Sequence, residues 1–221
     1  MRSGTNLGRD PMALSKLLDD AAGVALGIAT KTAPGLVEGA IDHAMKLTED
    51  HLPRISALVI PRRKNLVLFG RKRNYDAGKQ PLSVGKWNAF GGGAETPEER
   101  SNPALAGVRE LEEEVGLIVR PEHLNKRAYF QMCFLHNRAL DRGVHVFETW
   151  EFQGEPRASE EMDEPTWWHT NNLPFGEMWA GDTLWMPRVL AGECLTGEIS
   201  YVETPSGLMV AKAKFVPIET L

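Results

Sequence analysis

The sequence predicts an α+β domain preceded by a helical hairpin. Apolar residues recur at helical spacing through the N-terminal fifty or so residues. The period then changes to short apolar runs of strand length. Strands and helices mix without the regular alternation of a doubly wound sheet. A chain of 221 residues fits one domain plus an appendage, and 42% hydrophobic with 25% charged residues places it among soluble globular proteins. The formal net charge of -5, with no long basic run, argues against a nucleic-acid polymer as partner. A small phosphorylated ligand stays open, because a metal ion can supply the missing positive charge.

Two cysteines, Cys133 and Cys194, and no CxxC rule out a disulfide scaffold and predict a reducing, cytoplasmic setting. The weakly polar stretch from Ala21 to Ala29 is about half of what spans a bilayer. Asp19 and Asp20 precede it, which suits neither a signal peptide nor a membrane helix.

Residues 1–10 are polar and Gly-containing, a disordered lead. Residues 11–53 hold two helical patterns. Leu14, Leu17, Leu18, Ala21, Ala25 and Ile28 form the first, and Pro34-Gly35 ends it. Val37, Ala40, Ile41, Ala44 and Leu47 form the second, closed by Pro53. The hairpin reads as a packing or dimerisation appendage, with a lid or membrane-surface role as the alternative.

ISALVI (55–60) and LVLF (66–69) read as two strands joined by a turn, and residues 74–86 as a loop. WNAFGGG (87–93) leads into a longer loop. Asn102-Pro103 predicts a helix start, with Asn capping and Pro at the first helical position, and Gly116 predicts its end. Residues 128–135 and 144–152 read as strands, with Phe130, Met132 and Phe134 on one face. These three either line a pocket or fill the sheet. Residues 165–170 form a short strand, 176–190 a helix broken near Gly181, and 197–218 a hairpin turning at Pro205-Ser206-Gly207. His145 reads as structural.

Helix 103–115 carries the chemistry. Leu105, Val108, Leu111 and Val115 form its predicted buried stripe. Glu110, Glu113 and Glu114 stand at i, i+3 and i+4, on one face. Like charges at this spacing cost about 0.2–0.5 kcal/mol a pair. Acids near a helix C-terminus also oppose its dipole. One reading is a solvated charged face paired with Arg109. The other is a hard-metal site, in which a divalent cation turns repulsion into shared coordination.

RELEEEVGL (109–117) resembles the core of the Nudix box, R-E-U-x-E-E-x-G-U with U aliphatic. Arg109, Glu110, Leu111, Glu113, Glu114, Gly116 and Leu117 fill every fixed position. The glycines of 91–93 stand upstream, as the box requires. Counted strictly back from Arg109, its first glycine and middle glutamate fall on Glu95 and Ser101. Taking Gly92 as that glycine makes the loop three residues longer than the family pattern and leaves the middle glutamate open among Glu95, Glu98 and Glu99.

Four further stretches are similar to the MutT-homologue branch of the Nudix hydrolases, which clears oxidised purine nucleoside triphosphates such as 8-oxo-dGTP. They are GKWNAFGGG (85–93), VHVF (144–147), FQGEPRASEEM (152–162) and LPFGEMWAGDTLWMP (173–187). The resemblance implies an α/β/α sandwich with a mixed sheet over residues 54–221. It implies that Asn88 hydrogen-bonds the base, that Trp179 stacks on it and that Asp182 reads its edge. Lys72 is implied near the substrate, and Phe90 joins the substrate-binding residues. Glu110, Glu113, Glu114, Glu161 and the backbone carbonyl of Gly91 would hold Mg²⁺ or Mn²⁺. Glu114 is the first choice among the glutamates for general base, and Arg109 orients the acids. One departure stands out: the first acid of the branch's base-reading pair is Gly181 here.

The expected reaction is hydrolysis of an oxidised purine nucleoside triphosphate to monophosphate and pyrophosphate. The alternatives are a Nudix hydrolase of another nucleotide or nucleoside diphosphate derivative, and a non-catalytic nucleotide-binding module.

Overall fold

The computed structural model describes residues 54–73, 83–205 and 207–220. The expected lead and helical hairpin lie outside the described residues, as do most of the loop after residue 73 and Ser206 at the tail turn.

The two predicted N-terminal strands are present and longer than their apolar runs. β1 (Arg54–Arg63) and β2 (Leu66–Lys72) are joined by a tight turn with Lys64 at φ 55°. WNAFGGG does not run straight into a loop: it forms two short strands, β3 (Trp87–Asn88) and β4 (Phe90–Gly93). Glycine disfavours strand locally, but here a partner overrides that preference. β4 lies antiparallel on β1, and a Cβ on Gly91 would run into the backbone carbonyl of Ala57. Only glycine permits that approach.

The stretch after β4 holds an unpredicted short helix, α1 (Pro97–Ser101), capped by Thr96, whose hydroxyl accepts from Glu99 N at 3.1 Å. The acidic helix α2 (Pro103–Val115) begins at Pro103 as expected and ends at Gly116, φ 72°. Asn102 does not cap it with its side chain; its N–H instead donates to Glu98 O at 2.8 Å and closes α1. β5 (Asn125–Phe134), β6 (Arg142–Thr149) and β7 (Met162–His169) follow. Helix α3 (Asp182–Leu190) starts at the expected break, with Gly181 as its N-cap. β8 (Cys194–Thr204) and β9 (Gly207–Ile218) form the tail hairpin.

The sheet runs β3-β2-β1-β6-β5-β8-β9, with β4 also on β1 and β7 also on β2. β1/β6 and β5/β8 are parallel and the other pairs antiparallel, so the sheet is mixed. Alternation along the strands divides the core in two. Ala57 and Val59 of β1 join Leu68, Phe90, Leu111 and Val115 under α2. Ile60, Val67, Phe69, Phe130 and Val146 join Trp185, Met186 and Val189 of α3 on the other face. The result is a helix–sheet–helix sandwich.

The buried stripe of α2 differs from the predicted one. Leu105 is only half-buried, and the buried residues are Ala104, Ala106, Gly107, Leu111, Glu114 and Val115. An apolar-only template rotates the stripe away from Glu114. Gly107 brings α2 against β1: a Cβ there would lie 2.8 Å from Val59 Cγ2. Gly107→Val is expected to lower stability by about 1–3 kcal/mol through overpacking. Urea unfolding checks this, and an unchanged midpoint would mean that the helix is not held that close.

Candidate active site

The site grows from the contact between β4 and α2. With no side chain on Gly92, the Glu110 carboxylate lies directly on its backbone, and a Cβ there would run into Oε1. One helical turn on, Glu114 is 1% exposed. Its Oε2 accepts from Gly91 N–H at 2.8 Å and its Oε1 from Lys72 Nζ at 2.6 Å. Lys72 Nζ also donates to Glu161 Oε2 at 2.7 Å, drawing in the loop before β7. Arg109 forms a second hub. Nη1 pairs with Glu110 at 2.9 Å and Glu113 at 3.0 Å, Nε with Glu99 at 2.9 Å, and Nη2 donates to Gly93 O at 3.0 Å. Of the three candidate loop glutamates, Glu99 is the buried one facing this guanidinium, and it also accepts from Glu95 N at 2.7 Å.

Burial pushes the Glu114 carboxyl up to about 7, against the opposing pull of Lys72 and the Gly91 N–H. Burial also raises Glu110, partly countered by Arg109. The Arg109 guanidinium holds Glu99 below the usual carboxylate range. Burial works against the charge on Lys72, but Glu114 and Glu161 outweigh it, so its pKa rises.

A cleft of about 320 Å³ opens beside these groups, lined by Lys72, Asn88, Gly91 and Gly92 and by the aromatic patch of Phe130, Phe134, Trp179 and Trp185. Met132 and Asp182 line it too. Phe130 and Phe134 thus serve both as core and as cleft wall. Phe90 does not reach the cleft. It pairs with Val59 across β1 and is fully buried under α2, because alternation turns it to the helix side.

Asp182, at the first turn of α3, is buried with both carboxylate oxygens engaged: Oδ1 by Trp185 Nε1 at 3.1 Å, Oδ2 by Trp179 N at 3.2 Å. Burial pushes its pKa up to about 7. Trp179 stands edge-on to Phe134 and Tyr201, at 6.3 and 5.6 Å. The departure at Gly181 has a structural counterpart: a Cβ there would run into Ile199 and the Tyr201 hydroxyl. Tyr201 is twenty residues away in sequence, and nothing in its local pattern signals this contact.

The carboxylates of α2, Glu161 and the Gly91 backbone form a set of hard oxygen donors, the chemistry that suits an Mg²⁺-type ion. The bare backbone of Gly92 leaves the Glu110 carboxylate free to lie over it. Among the described residues no three His, Cys, Asp or Glu side chains converge on one point, since Lys72 and Arg109 divide the acids into two clusters.

A mixed sheet between helices, with an acid-rich helix against a glycine strand and a cleft beside them, defines a Nudix-type hydrolase. A profile described as the NUDIX domain matches residues 50–189, and the chain belongs to this family. It is 34% identical over 148 residues to the oxidized purine nucleoside triphosphate hydrolase of Danio rerio, covering 67% of this chain and 86% of that one. The enzyme of the same name from Mus musculus is 32% identical over 148 residues, with the same coverage. In fold, the chain is similar to a solved mutator MutT protein from Bacillus halodurans, with a TM-score of 0.57 and 21% identity over 73% of this chain and 97% of that one. Among the described residues no helix is long and apolar enough to cross a membrane.

Two outcomes follow from the Asp182 corner. Its raised pKa means that the folded state binds the proton more tightly than the unfolded chain. The resulting stability is complete below about pH 4 and is lost as pH rises to about 7. Wild type is therefore expected to lose stability relative to Asp182→Asn over that window, by up to about 4 kcal/mol. Urea melts of both at pH 4, 5.5 and 8 check it, and parallel pH profiles would contradict it. Gly181→Asp is expected to lower the thermal midpoint, with partial recovery when Tyr201→Phe is added. Full stability of the single variant would show that the space at 181 is open.

Proposed function

We propose that the protein hydrolyses oxidised purine nucleoside triphosphates, 8-oxo-dGTP among them, to the monophosphate and pyrophosphate, and so clears damaged precursors from the nucleotide pool. The observation that carries this reading is Glu114: a fully buried carboxylate fixed between the Gly91 N–H and Lys72 Nζ, two groups at the edge of a nucleotide-sized cleft. The names of the Danio rerio and Mus musculus relatives support the substrate class.

Glu110, Glu113, Glu114, Glu161 and the Gly91 carbonyl would hold Mg²⁺, with Mn²⁺ able to substitute. When bound, such an ion would screen the phosphate charge and make a nearby water easier to deprotonate. The residues of the chain do the rest. Glu114, whose burial raises its proton affinity towards neutrality, accepts the proton of the attacking water. Arg109 aligns Glu110 and Glu113. Lys72 balances Glu114 and Glu161 and stands ready to pair with phosphate oxygens. Asn88 hydrogen-bonds the base, Trp179 offers it a ring face and Asp182 reads its edge. We place the enzyme in the cytoplasm, consistent with two free cysteines.

A second reading, hydrolysis of another nucleotide, is favoured by Gly181: the space that a first base-reading acid would fill is taken by Ile199 and Tyr201. A panel of normal and oxidised nucleoside triphosphates with Mg²⁺, scored by pyrophosphate release, separates the two. The highest kcat/KM is expected on an oxidised purine, and a higher value on any other class would transfer the assignment. Glu114→Gln is expected to lower kcat by at least about 100-fold, in line with loss of a general base, while nucleotide binding stays measurable. Turnover at the wild-type rate would remove Glu114 from the chemistry.

A further inference from the structure

Arg142 is a cation inside the cleft to which the roles above give no task. It opens β6 on the face shared by Val144 and Val146, level with Met132 of β5 and Arg54 of β1. It is half-buried and lines the cleft. Nε donates to Leu140 O at 3.0 Å, and the guanidinium carbon lies 5.8 Å from the centre of the Phe134 ring. Among the described residues Nη1 and Nη2 have no hydrogen-bond partner or ion pair.

The neighbouring carboxylate is engaged with other groups. Asp141 is committed at both oxygens, Oδ1 to Phe134 N at 2.7 Å and Oδ2 to Arg138 Nε at 2.8 Å. Burial, followed by repulsion from Arg54, pulls the pKa of Arg142 down, and Asp141 resists only in part. Neither Nη is fully enclosed, so a ligand that enters the cleft can reach both.

The position of Arg142 says which part of the ligand. Phe134 touches both the guanidinium and Trp179, and the Trp179 N–H is bound by Asp182. Arg142 therefore belongs to the aromatic end of the cleft. The α2 acids are paired instead to Arg109 and Lys72. A guanidinium fork reads guanine through its O6 and N7 acceptors. Oxidation at C8 places a hydrogen on N7, which leaves O6 as the acceptor on that edge. A 6-aminopurine presents an N–H donor there, and two donors facing each other repel.

We propose that Arg142 binds the base directly, donating from Nη1 and Nη2 to the 6-oxo oxygen, and so gives this site a preference for 6-oxopurines over 6-aminopurines. This rests on the nucleotide-hydrolase reading above. The test compares wild type, Arg142→Met and Arg142→Lys on 8-oxo-dGTP, dGTP, 2-hydroxy-dATP and dATP. Circular dichroism establishes that each variant is folded. Arg142→Met is expected to raise KM on the two 6-oxopurines by about 10–100-fold, the range of hydrogen bonding between a charged group and one acceptor. It is expected to shift KM on the two 6-aminopurines less than threefold and to leave kcat near wild type. Arg142→Lys, which keeps the charge and loses the fork, falls between. Equal losses on all four substrates, or none, would overturn the proposal. If wild type turns over none of them, the functional reading fails by itself. Calorimetric binding of 8-oxo-dGMP and 2-hydroxy-dAMP then decides the role of Arg142: selectivity lost in Arg142→Met supports it, and unchanged selectivity overturns it.

Discussion

A single buried carboxylate ties the molecule together. Glu114 points from α2 into the junction of β2 and β4, where it is almost wholly removed from water. Charge in such a place persists only when hydrogen-bonded and paired, and removing one partner of a buried pair costs about 3–5 kcal/mol. Its partners come from separate parts of the chain: the Gly91 N–H on β4 and Lys72 at the end of β2, with Lys72 reaching on to Glu161 before β7. The same junction needs glycine at 91, where a side chain would meet the Ala57 carbonyl, while a side chain at 92 would displace the Glu110 carboxylate. Stability and chemistry therefore share one set of contacts.

Around that junction the protein divides its work. On the α2 side, Arg109 gathers Glu99, Glu110 and Glu113 into one polar cluster and fastens it to the Gly93 carbonyl. On the α3 side, Phe130, Phe134, Trp179 and Trp185 make an aromatic wall, with Asp182 and Arg142 as its polar points. The mixed sheet separates the helices and lets alternate residues of one strand serve either side, as Val59 and Ile60 do in β1. Arg142 and Tyr201 give the aromatic end of the cleft a character of its own: the first places a guanidinium in the wall, and the second closes the space beside Gly181.

Much of this was legible in the sequence where a local pattern carries the information. The carboxylates at i, i+3 and i+4, Pro103 at the helix start and Gly116 at its end are local signals, and the helix runs between those two residues. Alternation in 130–134 placed three residues on one face, and that face forms the cleft wall. Long-range pairing left no such trace. Nothing local marks residues 90–93 as a strand, because strand formation at these glycines depends on β1. An apolar template puts Leu105 in the core because it has no way to bury Glu114, whose partners lie 23 and 42 residues away. Phe90 lies only two residues after Asn88, yet the break at Ala89 carries the chain from β2 to β1 and leaves Phe90 under α2. The clash of position 181 with Tyr201 and the unshared donors of Arg142 exist only once α3, β5, β6 and β8 are assembled.

The crowded acids of α2, backed by the glycine strand, would hold a divalent cation beside the cleft. Calorimetric titration of Mn²⁺, with a non-hydrolysable nucleoside triphosphate analogue present, tests it most directly on wild type and on a Glu110→Gln/Glu113→Gln variant shown to be folded. Saturable Mn²⁺ uptake by wild type, weakened at least tenfold in the variant, is the expected result. No uptake by wild type, or equal uptake by both, would contradict the account.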